Sequence, residues 1–61
     1  MEHPTPEQIR ALRDKAGMTQ ASMAALLYMT VTGYAMNERG ERVMSKQTWQ
    51  LMQILLKDET K

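Results

Sequence analysis

The chain has 61 residues, a formal net charge of +1 and no cysteine, so neither a disulfide nor a thiolate metal site can stabilise it. A chain of about this length buries only about 60% of the surface that its unfolded form exposes, so helix packing or oligomerisation must supply the stability. No apolar run approaches the roughly 18 residues of a membrane span, and the first residues lack the pattern of a secretion signal. We therefore expect a cytoplasmic protein.

The residue inventory also argues against catalysis. The only histidine, His3, lies in residues 1–4, which we expect to be a solvated tail. Metal sites usually need three or four ligands, and the chain has no phosphate-binding glycine pattern and no convergent acid–base pair. We expect no enzyme activity, no metal, no cofactor and no small-molecule ligand.

The segment around Thr5 predicts the start of a first helix, at about residues 6–16. Thr5 can cap this helix, Pro6 fits its first position, and Gln8 completes a capping box. Gly17 is placed to end it. The positions that we expect to be buried recur at helical spacing: Ile9, Leu12 and Ala16.

The stretch from Thr19 to Arg42 predicts two short helices joined by a tight turn, at about residues 20–27 and 31–39. Thr19 and Thr30 are capping residues ahead of these helices, and Gly40 is placed to end the second one in the left-handed conformation. A helix, a short turn and a second helix form the geometry that can place one helix in a DNA major groove.

A fourth helix is predicted at about residues 46–57, with Ser45 as its cap. It carries more bulky apolar groups than one stripe of a helix can hold. One stripe can close the core of the monomer, and we expect a second copy of the chain to cover the other. The alternative is that both stripes belong to the core. The residues that we assign to the dimer interface are Trp49, Met52 and Leu56.

The chain resembles the Cro/repressor-type (Xre family) helix-turn-helix regulators of bacteria and phages over about residues 6–57. The resemblance is carried by Thr19-Gln20-Ala21, Ala24, Leu27, Thr30, Glu38 and Gly40-Glu41-Arg42. In addition, Tyr28, residues 40–44 and Trp49 resemble a subfamily of very short proteins that includes anti-CRISPR-associated repressors. The resemblance implies a lambda-repressor-like, all-α fold, a single domain over residues 1–61 with four to five helices and a central helix-turn-helix.

The resemblance implies that the helix at residues 31–39 reads DNA, with Tyr34 pointing inward. Its outer face offers methyl groups and one hydroxyl rather than bidentate side chains, and the base-reading residues would be Val31, Thr32, Ala35 and Met36. The residues expected on the DNA backbone are Gln20, Thr30, Gly33, Asn37, Arg39, Arg42 and Lys46. Several of these have alternatives. Gln20 merely occupies the first turn of its helix, or Asn37 bonds the main chain near residues 39–41. The basic residues Arg39, Arg42 and Lys46 are solvated loop charges in the alternative interpretation.

Arg13 borders the predicted buried face of the first helix. The family pairs a cation at this position with a glutamate near the end of the third helix, which is Glu38 in this chain. We expect a structural ion pair between these two residues, because a partly buried charge is tolerated mainly when it is paired and hydrogen-bonded. A direct role of Arg13 in DNA binding is the alternative.

Two functions are open at this point. The first is a sequence-specific transcriptional repressor of a phage or mobile element, which binds double-stranded DNA at an inverted repeat as a homodimer. The second is a protein-interaction module that keeps the helix-turn-helix shape without specific DNA binding. The second is favoured by the methyl-rich outer face of the third helix, by Asn37 and by the small net charge.

Overall fold

Four α-helices make up the part of the chain that the computed structural model describes, residues 3–59. They are α1 (Pro6–Ala16), α2 (Gln20–Leu26), α3 (Val31–Arg39) and α4 (Lys46–Glu59). The all-α fold class is confirmed. Helix α2 ends one residue earlier than predicted, because Leu27 already has the backbone angles of a cap. Helix α4 continues two residues beyond the predicted end.

The predicted caps are present at the helix starts. The Thr5 side chain accepts from the Gln8 amide and the Gln8 side chain accepts from the Thr5 amide, which closes the capping box of α1. Thr19, Thr30 and Ser45 accept main-chain N–H bonds in the same way at the starts of the other three helices. These contacts satisfy donors that a helix start leaves without an intrahelical partner.

Two helix ends require glycine. Gly17 and Gly40 have φ of 70° and 81°, in the left-handed region, and follow α1 and α3 directly. A side-chain carbon at Gly40 would lie 3.3 Å from Cγ of Pro6, whereas one at Gly17 would meet nothing within 4 Å. Gly40 is therefore required by its conformation and also by the close approach of the start of α1.

The core lies where α3 meets both α1 and α2, and α4 closes it from the side of α1. Its side chains come from all four helices and from the segment before α4: Ile9, Met23, Ala24, Leu27, Tyr34, Met44, Met52 and Leu56. The prediction that residues 1–4 form a solvated tail is wrong for residues 3 and 4, which the structure describes. Pro4 is buried, and the His3 ring Nδ1 lies 3.1 Å from the Met44 carbonyl oxygen. Residues 1–2 lie outside the described residues.

Candidate nucleic-acid interface

The turn between α2 and α3 holds the two helices as one unit. The Met29 amide donates to the Ala24 carbonyl at 2.8 Å, and the Thr30 side chain then caps α3. Tyr28 adopts φ of 60° in this turn and is 93% exposed. A tyrosine in the left-handed region costs free energy that a glycine would not, so the turn is held in place by the packing on either side of it.

Helix α3 presents a narrow strip to solvent. Three residues of this strip are exposed, namely Val31, Thr32 and Arg39. A fourth, Met36, is half-buried. Ala35 lies within the same angular sector but is only 9% exposed, because its methyl group does not reach past the longer neighbours. Its predicted position as an open base-reading residue is therefore corrected. The exposed strip consists of Val31, Thr32, Met36 and Arg39.

Gly33 is also buried, so the expectation of an open position for the DNA backbone is wrong as well. A side-chain carbon added to Gly33 would lie 3.0 Å from Oγ1 of Thr30 and 3.8 Å from a terminal nitrogen of Arg42. The covering groups are thus the capping threonine and a guanidinium that reaches back from the segment after α3.

The basic residues after α3 are not equivalent. Arg39 and Glu41 form a two-pronged pair at 2.9 and 3.1 Å, which raises the pKa of Arg39 and lowers that of Glu41. Both side chains of this pair are exposed, so the contact holds Arg39 only weakly. Arg42 and Lys46 are exposed and form no ion pair with any residue that the structure describes.

Behind the strip, Glu38 of α3 pairs with Arg13 of α1 and is also bonded to Gln20 of α2. Arg13 donates from Nε to Glu38 Oε2 at 2.6 Å and from Nη2 to Oε1 at 3.1 Å. It also donates to the Met18 carbonyl at 2.9 Å. Gln20 donates from Nε2 to Glu38 Oε1 at 3.0 Å. The structure thus brings Arg13 and Glu38 together and adds Gln20, which the sequence analysis placed elsewhere.

The ion pair controls the ionisation of the buried groups around it. Burial alone would raise the pKa of Glu38, but the hydrogen bonds from Arg13 and Gln20 and the charge of Arg13 outweigh it, and the pKa lies below its ordinary value. The pKa of Arg13 is raised by the same contact. Burial, and next to it the neighbouring carboxylate, raises the pKa of the Tyr34 hydroxyl far above its usual range. Glu38 is therefore charged and Tyr34 neutral at physiological pH.

A comparison with protein families identifies this arrangement. The model of a helix-turn-helix family matches residues 9–57. The chain belongs to this helix-turn-helix family, of the Xre and lambda Cro type. It is therefore a DNA-binding helix-turn-helix regulator, of a family that is typically not enzymatic. A comparison with curated proteins gave no significant match. Within residues 3–59, no helix is long and apolar enough to cross a membrane.

Two polar residues expected on the DNA backbone of this helix-turn-helix protein have internal partners instead. Asn37 is buried, and its Nδ2 donates to the Arg42 carbonyl at 3.0 Å. It anchors the segment after α3, in line with the alternative of main-chain bonding, although the acceptor lies beyond residues 39–41. The Gln20 amide donates to Glu38, so this donor is not free in the unbound protein.

The predicted dimer stripe on α4 is wrong for two of its three residues. Met52 and Leu56 are completely buried within the monomer, and Trp49 is half-buried beside them. This stripe meets α1 and closes the core, because residues at positions i and i+4 of a helix share one face. The apolar groups that remain accessible lie on the next face of α4 and just before it: Val43, Leu51, Ile54 and Leu55.

Proposed function

We propose that this chain is a sequence-specific transcriptional repressor that binds an inverted-repeat operator as a homodimer. The observation that carries the proposal is the exposed strip of α3, which begins at a capped helix start and has the guanidinium of Arg42 near that start. In helix-turn-helix proteins the first residues of the second helix contact base edges in the major groove.

Each exposed group on the strip has a chemical counterpart in DNA. Val31 is 47% exposed and, with Met36, offers apolar contact to thymine methyl groups. Thr32 offers a hydroxyl that can donate or accept. Thr30, Arg39 and Lys46 are exposed and suited to the sugar–phosphate backbone, and Arg42 adds a further exposed cation. Ala35, Gly33, Asn37 and Gln20 have no part in this revised set.

The homodimer would use the outer face of α4. Ile54 is 61% exposed on this face, and Leu51 and Leu55 on the same face are half-buried and pack partly against the core. Val43, which precedes α4, is 66% exposed. A small domain gains stability when a second copy covers such a patch. A twofold axis at this face would give the dimer two copies of α3, one for each half-site. Two half-sites about one helical turn apart, roughly 34 Å, then match the two copies.

The test is binding to the DNA immediately upstream of the coding sequence of this chain, measured by fluorescence anisotropy at several salt concentrations. The repressor proposal predicts binding that prefers this DNA to a scrambled duplex and weakens steeply as salt rises. The double variant Thr32→Ala, Arg42→Ala should lose the preference while keeping its helical circular dichroism. Lys15→Ala is the matched control, because Lys15 is an exposed cation that lines the groove between α1 and α4.

The second candidate is a protein-interaction module, and one observation favours it: the strip holds no asparagine or glutamine, and its only arginine is already paired with Glu41. If the protein shows no salt-sensitive DNA binding at micromolar concentration, this candidate replaces the repressor. Equal binding to the upstream and scrambled duplexes would likewise contradict sequence-specific repression.

A further inference from the structure

The strip of α3 lacks a free side chain that can grip a base edge with two hydrogen bonds. The commonest specific contact in the major groove is an arginine that donates to O6 and N7 of guanine. On α3 itself the only arginine is Arg39, which lies at the far end of the helix and is bonded to Glu41. The side chains near the start of α3 supply methyl groups and hydroxyls.

A guanidinium nevertheless lies near the start of α3. Arg42 follows the helix, but one of its terminal nitrogens would be only 3.8 Å from a side-chain carbon at Gly33, and the capping Thr30 lies beside the same point. The side chain therefore runs back along α3 to its third residue. A side-chain carbon at position 33 would lie at ordinary contact distance from this guanidinium but only 3.0 Å from Oγ1 of Thr30, so glycine at this position spares the cap of α3.

The main chain of Arg42 is fixed while its side chain is free to act. The buried Asn37 donates to the Arg42 carbonyl at 3.0 Å, which holds the segment against α3. Within the described residues, the guanidinium has no salt bridge. Its position near a helix start is electrostatically unfavourable, because that end of the helix carries partial positive charge. An acceptor brought to this place by a ligand would relieve the repulsion.

We infer that Arg42 is the specificity-determining residue of this protein: its guanidinium, laid over Gly33, reads a guanine at one position of each half-site. This inference rests on the proposed DNA binding. It moves Arg42 from a phosphate contact to a base contact. It also explains how a helix with few polar groups can distinguish sequences, since the reading group comes from the segment behind the helix.

The experiment begins with selection of bound sequences from a random DNA pool by the wild-type protein. Binding is then measured for the selected site and for every single-base change, with wild type, Arg42→Lys and Arg42→Ala. Wild type should discriminate about tenfold or more at one G·C pair per half-site. Arg42→Ala should lose that discrimination and keep the preferences at other positions. Arg42→Lys should discriminate less than wild type, because lysine can donate to O6 and N7 of guanine but lacks the planar fork of arginine.

A second measurement uses duplexes in which 7-deazaguanine replaces that guanine and removes the N7 acceptor. Wild type should bind this duplex several-fold more weakly, and Arg42→Ala should not distinguish it from the normal one. Lys46→Ala, in the same basic segment, is the control and should weaken all sequences equally.

The outcomes distinguish a failure of the inference about Arg42 from a failure of the proposed DNA binding. If Arg42→Ala weakens all sequences equally, reduces the salt slope by about one and leaves every base preference intact, Arg42 contacts a phosphate and the inference is overturned. If wild type enriches no sequence at all, the proposed function fails and the inference fails with it. The Arg42 variants should keep the wild-type melting temperature, because the bond to Asn37 uses the main chain.

Discussion

Removing the Arg13 side chain should lower the free energy of unfolding of this small domain by a large fraction of its total. Glu38 is 4% exposed and Arg13 is 15% exposed in their side chains, and the two share hydrogen bonds of 2.6 and 3.1 Å. Breaking a buried pair from one side costs about 3–5 kcal/mol, because an uncompensated charge remains inside. Gln20 still donates to the carboxylate after the change, so we expect Arg13→Met to cost about 3 kcal/mol.

That loss is large for this chain. Stabilities of about 0.05–0.15 kcal/mol per residue imply roughly 3–9 kcal/mol for a domain of this size. The assay is urea unfolding followed by circular dichroism for Arg13→Met, Glu38→Met and the double variant. Because the double variant leaves no unpaired charge, it should lose about 2 kcal/mol less than the sum of the two single losses. Arg39→Met is the control, since its pair with Glu41 is fully exposed to solvent and should matter little.

The pH dependence gives an independent check with a definite sign. In the wild type the pKa of Glu38 is lowered, so its contribution to stability is present at neutral pH and disappears as pH falls through the folded value. In Arg13→Met, burial dominates and raises that pKa, so the folded state is favoured when Glu38 is protonated. The gap between wild type and variant should therefore begin to shrink as pH falls through the raised pKa of the variant, above the ordinary value of about 4.3, and should keep shrinking as pH falls through the lowered pKa of the wild type. A constant gap, together with additive single losses, would refute a coupled ion pair.

Three further predictions concern the turns and the dimer face. Tyr28→Gly should stabilise the protein by about 0.5–1 kcal/mol in urea unfolding, because relief of the left-handed strain of about 1–2 kcal/mol exceeds the backbone entropy of glycine and the exposed ring loses little packing; an unchanged or lower midpoint would contradict this. Gly40→Ala should lower the free energy of unfolding by about 2 kcal/mol and Gly17→Ala by about 1 kcal/mol, since both have positive φ but only Gly40 has Pro6 within contact; equal losses would exclude a contribution of the Pro6 contact. Ile54→Lys should shift the protein from dimer to monomer in sedimentation, whereas Gln53→Lys, on the groove side of α4, should not; a dimer that persists in Ile54→Lys would rule out the outer face of α4.

Local features of the chain were predictable because their causes lie within a few residues of one another. Thr5 with Gln8, Thr19 and Thr30 are capping patterns that act over three residues, and Gly40 ends α3 by its own conformation. These patterns determined three helix starts and the existence of the helix-turn-helix. The end of α2 was misplaced by one residue because Leu27, although buried like a helical residue, belongs to the turn.

Contacts between different helices were harder to predict from the sequence. Gln20 and Asn37 were expected to face DNA, but their amides are bonded to Glu38 and to the Arg42 carbonyl. Both are polar residues beside the predicted buried face, where an internal partner is needed, and this was the available signal. Nothing in the sequence specified which stripe of α4 meets α1, because two stripes had similar apolar character. The choice of Met52 and Leu56 depends on how the two helices approach each other.

Helix α3 contributes both to the core and to the exposed strip, and these two roles constrain its residues differently. It packs against both α1 and α2, and Tyr34, Asn37 and Glu38 are buried on its inner side. Changes there disturb the fold and the reading face together. In the proposed complex, the groups left to contact DNA are the few on the exposed strip and the guanidinium of Arg42, which takes no part in the core. Sequence preference in this scaffold can therefore change through Val31, Thr32, Met36 and Arg42 without loss of stability, whereas a change at Asn37 would alter both, because it releases the segment that carries Arg42.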